Sequence, residues 1–242
     1  MVHTVIVAAG NGKRAGGAIK KQFALLASRP VIIHVLTPFF ESAIVDTTVC
    51  VIAKEDIASF ETLMKGYPTL KIDQVINGGD CRQESVAAGV FFLEKNYASD
   101  DLVVVHDGAR PFVSATLIKK VIASASSSQG AVAALQISDS LKEVSTDLQI
   151  VRSIPREHVW AMQTPQVFPL GVLAKALRKA KADAFVGTDE AAIVERIGYP
   201  ILCVPGEAEN IKITTASDWL RAEMILGQRA LRGQPVLPER LA

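Results

Sequence analysis

Cysteine, aromatic residues and net charge are all scarce in this chain. Only Cys50, Cys81 and Cys203 occur among its 242 residues. They are far apart and odd in number, which excludes a disulfide scaffold and a cysteine-spaced metal cluster and predicts a reducing compartment. Aromatics make up 6% of the residues and the formal net charge is +1. With neither a global positive field nor a basic stripe around its aromatics, the chain is not expected to bind nucleic acid. No apolar run is long enough to span a bilayer and no charged leader precedes an apolar stretch, which predicts a cytoplasmic protein with no membrane partner. His3, His34, His106 and His158 lie too far apart for metal-ligand spacing. There is no Ser/His/Asp or Cys/His grouping to suggest a side-chain nucleophile.

What the chain does have begins at Thr4. An apolar strand including Val5-Ile6-Val7-Ala8 runs into Ala9-Gly10-Asn11-Gly12, and the following loop carries Lys13, Arg14, Lys20 and Lys21. Glycines let backbone come close to a ligand, and their amides can cradle phosphate oxygens. Gly10-x-Gly12-x-x-Ala15 formally fits a dinucleotide fingerprint, but no acidic ribose partner follows at the required distance of about twenty positions. No Gly-Lys-Ser/Thr follows either, so a P-loop is excluded. Four cations exceed the needs of a diphosphate and match a triphosphate on which charge grows during reaction. A solvated basic turn is the plain alternative.

Hydrophobic residues at 49% supply ample core. After Pro30, the apolar positions Val31, Ile32, Val35, Leu36 and Phe39 have helical spacing. Thr47–Ile52 and Ile72–Ile76 are expected strands, with helices around Ile57–Met64 and Val86–Leu93, and Leu102–Val105 a further strand. This β-α alternation predicts an α/β fold: a Rossmann-like, mainly parallel (mixed) sheet with helices on both faces, and ligands beyond its strands' carboxyl ends. Three polar clusters fall at such ends, in residues 9–21, 77–85 and 106–111. The rhythm breaks after Gln136. Ser138–Val144 and Gln149–Ile154 alternate around Ser145-Thr146-Asp147, predicting a protruding β-hairpin arm, about residues 136–164, inserted in one domain spanning 1–242. A lone hairpin is marginal in water, so the arm is expected to pack on another subunit. Leu170–Ala182, Glu190–Ile197 and Ala216–Gln228 are expected helices, and Ile201–Val204 and Ile211–Ile213 strands.

Seven segments together resemble one family, the 2-C-methyl-D-erythritol 4-phosphate cytidylyltransferases. They are Ala8-Ala9-Gly10-x-Gly12-x-Arg14, Lys21-Gln22-Phe23, Gly78-Gly79-x-x-Arg82-x-x-Ser85-Val86, Val105-His106-Asp107-Gly108-Ala109-Arg110-Pro111, Thr164-Pro165-Gln166, Thr188-Asp189-Glu190 and Asn210-Ile211-Lys212-Ile213-Thr214. Two departures are visible. Lys20 stands where the family commonly has proline, and Ser140 where it commonly has threonine.

The resemblance implies attack by a phosphate oxygen of 2-C-methyl-D-erythritol 4-phosphate on the α-phosphorus of CTP, releasing pyrophosphate. Such a nucleophile is already anionic and needs no general base, so catalysis rests on positioning and charge neutralisation. Arg14, Lys21 and Lys212 are the implied catalytic cations, although Lys212 alone would pass as an exposed strand lysine. Ala8, Ala9, Gly10, Gly12, Gly78, Gly79, Arg82 and Ser85 are the implied nucleotide contacts. Arg82 fits ribose, base or phosphate, and Ser85 fits equally a helix N-terminal residue. Asp107, Arg110 and Thr188 would hold the second substrate, with Ser140 and Arg156 coming from a partner's arm in a homodimer and Thr164 near the arm's return. Mg2+ would be held mainly by the CTP phosphates, with Asp107 the candidate carboxylate, a residue that also fits a loop cap. The alternatives are a ribitol 5-phosphate cytidylyltransferase, against which Ala109 speaks, and a non-catalytic nucleotide-binding module.

Overall fold

β1, Val2–Ala8, is mostly apolar and buried on both faces, with His3 and Thr4 its polar members, the pattern of a central parallel strand. The computed structural model describes residues 1–10 and 20–233. A short antiparallel pair, β2 (Leu25–Leu26) and β3 (Arg29–Pro30), leads directly into α1, Val31–Ser42. β4 (Thr47–Ile52), a 3-10 turn at Lys54–Asp56, α2 (Ile57–Met64), β5 (Gln74–Asn77), α3 (Arg82–Asn96), β6 (Leu102–Asp107) and α4 (Ala115–Ser124) follow. Then come β7 (Gly130–Gln136), β8 (Leu141–Val144), β9 (Ile150–Ile154), β10 (Trp160–Pro169), α5 (Leu170–Ala182), α6 (Glu190–Glu195), β11 (Ile201–Pro205) and α7 (Ala216–Leu231).

Among the described residues, one sheet takes seven strands in the order β11-β7-β10-β6-β1-β4-β5. All neighbours are parallel except β10, which runs antiparallel to both β6 and β7. The expected mainly parallel, mixed sheet is therefore present. One buried cluster packs α1, α4 and α7 on one face, and a second packs α3, α5 and α6 on the other. Helix α3 comes so close that a Cβ on Gly89 would stand 2.6 Å from Val5 Cγ1, a contact that leaves room for no larger residue without a shift.

Register aligns the carboxyl ends. Val7 lies opposite Asp107, Ala8 opposite Ile52, and Ile52 opposite Asn77. The turns leaving β1, β4, β5 and β6 thus emerge side by side, where the chain's direction across the sheet reverses at β1 and β6.

The arm is present, with a correction to its bounds. β8 and β9 pair only with each other, and pairing starts at Leu141 rather than Ser138. The expected strand at residues 211–213 does not form. Ile211 and Ile213 are buried, and Ile213 N–H donates to Ala109 O at 2.8 Å. Their apolar character serves packing beneath the 108–110 turn rather than a ladder, so Lys212 sits on an irregular segment and not at a strand end.

Candidate active site

The turns at the aligned strand ends enclose a cleft of about 470 Å³, joined by Lys21 from one segment and Lys212 from another. Ala8, Ala9, Gly10, Gly78, Gly79, Arg82, Ser85 and Asp107 all line it. Gly12 and Arg14, expected in the nucleotide and catalytic sets, lie outside the described residues, as does Lys13. A Cβ on Gly78 would sit 2.3 Å from Ala9 Cβ, and one on Gly108 2.7 Å from Ala8 Cβ. Two turns press on the end of β1, and only glycine leaves the space. Ser85 is buried; its hydroxyl donates to Cys81 O at 3.0 Å and accepts from Gly79 N–H at 3.2 Å. It thereby shapes the turn that presents residues 78 and 79.

Sequence reasoning assigned no role to Gln22. Its buried amide donates to Ala8 O at 3.0 Å and Gly10 O at 3.1 Å, fixing the backbone where β1 opens into the cleft. Lys20 forms 2.6 Å contacts to Glu55 Oε1 and Asp56 Oδ2. The residue that replaces the family's proline is thus tied to the 3-10 turn by two carboxylates. Lys21 Nζ donates to Ile213 O at 2.9 Å, which brings residue 21 against the segment carrying Lys212.

The centre of the site is a chain of charges. Asp107 Oδ1 accepts from Arg82 Nε at 2.8 Å, and its Oδ2 lies 2.8 Å from Lys212 Nζ and 3.7 Å from Arg110 Nε. Arg82 also forks onto Glu190, with Nη1–Oε1 at 2.7 Å and Nη2–Oε2 at 2.9 Å. Burial disfavours ionisation of Asp107, yet the attractions of Arg82, Lys212 and Arg110 outweigh it and hold the carboxyl well below the usual carboxylate range. Burial pushes the Glu190 carboxyl up, against the pull of Arg82; among the described residues, three cations thus face two buried carboxyls, and positive charge is in surplus.

Of the remaining expected residues, Arg110 and Thr164 adjoin this centre. Arg110 Nη1 donates to Asn210 O at 2.8 Å. Thr164 is buried beneath the floor, where its hydroxyl accepts from Asp107 N–H at 3.2 Å and lies 2.9 Å from His106 Nδ1. His106 Nε2 faces Arg110 O at 3.3 Å. A carbonyl only accepts, so Nε2 carries the proton and Nδ1 accepts from Thr164. Thr188 is exposed, two residues before Glu190. Ser140 and Arg156 are exposed on the arm, and the Arg156 guanidinium donates to Ser138 O. Neither lines the cleft of its own chain.

The model of the 2-C-methyl-D-erythritol 4-phosphate cytidylyltransferase (IspD) family matches residues 2–228. The chain belongs to this family. A cytidylyltransferase of that name from Symbiobacterium thermophilum is 39% identical over 229 residues, covering 95% of this chain and 94% of the relative. One from Alkaliphilus metalliredigens is 37% identical, covering 94% of each. The crystal structure of 4-diphosphocytidyl-2C-methyl-D-erythritol synthase from Anaerococcus prevotii superposes with a TM-score of 0.79 at 26% identity, over 93% of this chain and 98% of that one. Among the described residues, no helix is long and apolar enough to cross a membrane.

In this cytidylyltransferase, complete burial pulls the His106 pKa down to about 3. Between that value and the unfolded value of about 6.5, the unfolded chain binds a proton that the fold refuses, so stability falls as pH drops through this window by about 1.4 kcal/mol per unit. His34, whose pKa burial also lowers, acts in the same direction. Urea unfolding at about pH 7 and pH 5 should therefore show roughly 2 kcal/mol more loss for the native chain than for His106→Asn, which keeps an acceptor for Thr164 but cannot titrate. Equal losses would contradict the neutral, buried assignment.

Proposed function

We propose that this cleft brings CTP and 2-C-methyl-D-erythritol 4-phosphate together through cations delivered from opposite ends of the chain. A phosphate oxygen of the second substrate attacks the α-phosphorus. The new P–O bond forms as the bond to the departing pyrophosphate breaks, with no proton moved. His106 suits this scheme, being neutral, buried and committed to two hydrogen bonds. The observation that carries the reading is the meeting of Lys21 with the carbonyl of Ile213, the residue after Lys212.

In this reading Lys21, Lys212 and Arg14 stabilise the pentavalent phosphorus, where charge develops in a site already holding surplus positive charge. Backbone at Ala8, Ala9, Gly10, Gly12, Gly78 and Gly79 reads the cytosine and ribose in a space too tight for a larger base, with Ser85 shaping the turn and Arg82 beneath it. Arg110, Thr188 and Asp107 receive the methylerythritol phosphate, and Thr164 supports Asp107 from below. Asp107 would be the carboxylate that holds magnesium; Arg82, Lys212 and Arg110 already face it, so the ion would be held mainly by phosphate oxygens and water. Bound there, magnesium would supply charge neutralisation.

The arm is the dimer element of the proposal. Leu148 is 84% exposed and Ile150 68%, apolar surface of the kind that marks an interface. Ser140 and Arg156 would then complete the site of the partner subunit. Unpaired thiols at Cys50, Cys81 and Cys203 support a cytoplasmic setting.

Pyrophosphate release from CTP should be rapid with methylerythritol phosphate and at background with ribitol 5-phosphate; the reverse preference would overturn the substrate assignment. In the same assay, Lys212→Ala should lower kcat by about a hundredfold or more while CTP affinity changes far less. Parallel losses would make Lys212 a simple binding group. Mixing Arg156→Ala with Lys21→Ala chains should restore on the order of a quarter of native activity, since half of the random dimers own one intact site. Persistently dead mixtures would remove the shared-site arrangement.

A further inference from the structure

Glu190 is fully buried and opens α6, yet its carboxylate is spent on a residue 108 positions earlier, Arg82. Local structure does not require this. The α6 N-cap is supplied by Asp189, whose side chain accepts from Ala192 N–H, and Asp189 is itself fixed by Gln166 Nε2 at 2.9 Å. Glu190 instead occupies both terminal nitrogens of Arg82 in a two-point fork, which sets the plane of the guanidinium. With the fork end set on Glu190, the Nε edge of the guanidinium faces Asp107, and Nε bonds its Oδ1. Asp107 is thereby turned so that Oδ2 meets Lys212.

We infer that Glu190 is a positioning residue for the cytidylyl transfer, acting through Arg82 and Asp107 to set where the Lys212 ammonium stands. The inference rests on the proposed reaction. Glu190 is fully buried and does not line the cleft; what it controls is how Arg82 divides its donors. With the carboxylate gone, the two terminal nitrogens of Arg82 lose their partner at the wall of the cleft, where they offer a new and misplaced grip on phosphate. Asp107 becomes the only anion for Arg82, so its hold on Lys212 loosens. Removing one buried negative charge also raises the cleft's positive surplus. CTP should then bind as tightly as before or more tightly while turnover falls. An ion pair that merely fastens α6 to α3 predicts a different outcome, in which binding and turnover decline together as the fold weakens.

The test is steady-state pyrophosphate release and calorimetric CTP binding for full-length Glu190→Gln and Glu190→Asp, alone and in an Asp107→Asn background. Glu190→Gln is expected to lower kcat by about ten- to a hundredfold with CTP affinity unchanged or improved. In the Asp107→Asn background its further effect should shrink to within about threefold, because the route to Lys212 is already cut. A native kcat, a parallel loss of affinity and turnover, or an undiminished effect without Asp107 would each overturn the inference. Should Glu190→Gln fail to fold, Glu190→Asp keeps the charge but shortens the fork: a reduced kcat with normal CTP binding supports the inference, and a native kcat reduces Glu190 to a structural tie. Native enzyme that releases no pyrophosphate would sink the underlying reaction instead, whereas active native enzyme with unaffected Glu190 variants would sink this inference alone.

Discussion

Like charges resist being gathered, and three of them meet around one carboxylate at the cleft. Two unit charges about 4 Å apart near a protein surface repel by roughly 4 kcal/mol, so Arg82, Arg110 and Lys212 converge because Asp107 lies among them, with Glu190 holding the far side of Arg82. That carboxylate is 8% exposed and sits at the end of β6. Its ionisation is unfavourable by burial and is maintained by the cations it collects. The dependence is mutual: each side makes the other tenable. The structure thus holds an anion in the middle of a cation cluster in the way that a phosphate group would be held.

Backbone architecture places this anion. Parallel pairing of β6, β1, β4 and β5 puts Asp107, Ala8, Ile52 and Asn77 in neighbouring register at one edge. Glycines at 78 and 108 let the turns close down on β1, and Gln22 pins the backbone where the cleft opens. Beneath the floor, Asp107 N–H, the Thr164 hydroxyl, neutral His106 and the Arg110 carbonyl form one continuous run of hydrogen bonds. The same carboxylate residue is therefore fixed at its backbone by a neutral network and at its side chain by an ionic one.

Much of this was legible in the residues themselves. β4 and α5 match the spans 47–52 and 170–182 expected from their patterns, because a buried β-branched run and a helical apolar stripe each announce themselves locally. The polar clusters at strand ends pointed to the cleft. β7 escaped notice since Gly130-Ala131-Val132-Ala133-Ala134 carries little β-branched signal, and its small residues reflect close packing instead, with Phe168 against Gly130. Residues 211–213 misled for the opposite reason: alternating burial came from covering a turn, not from pairing. Long-range ionic partners were out of reach. Nothing local to Glu190 announces Arg82, and nothing near Thr164 reveals that its hydroxyl is committed to His106.

In the proposed reaction, Asp107 steers the Lys212 ammonium to the place where the triphosphate arrives. The sharing of one ammonium between a protein carboxylate and a substrate phosphate is the central claim. It is tested most directly by a crystal structure of the enzyme bound to CTP. The account predicts the ammonium groups of Lys21 and Lys212 both within about 3 Å of phosphate oxygens, with Lys212 still beside Asp107. Phosphates bound out of reach of Lys212 would contradict it.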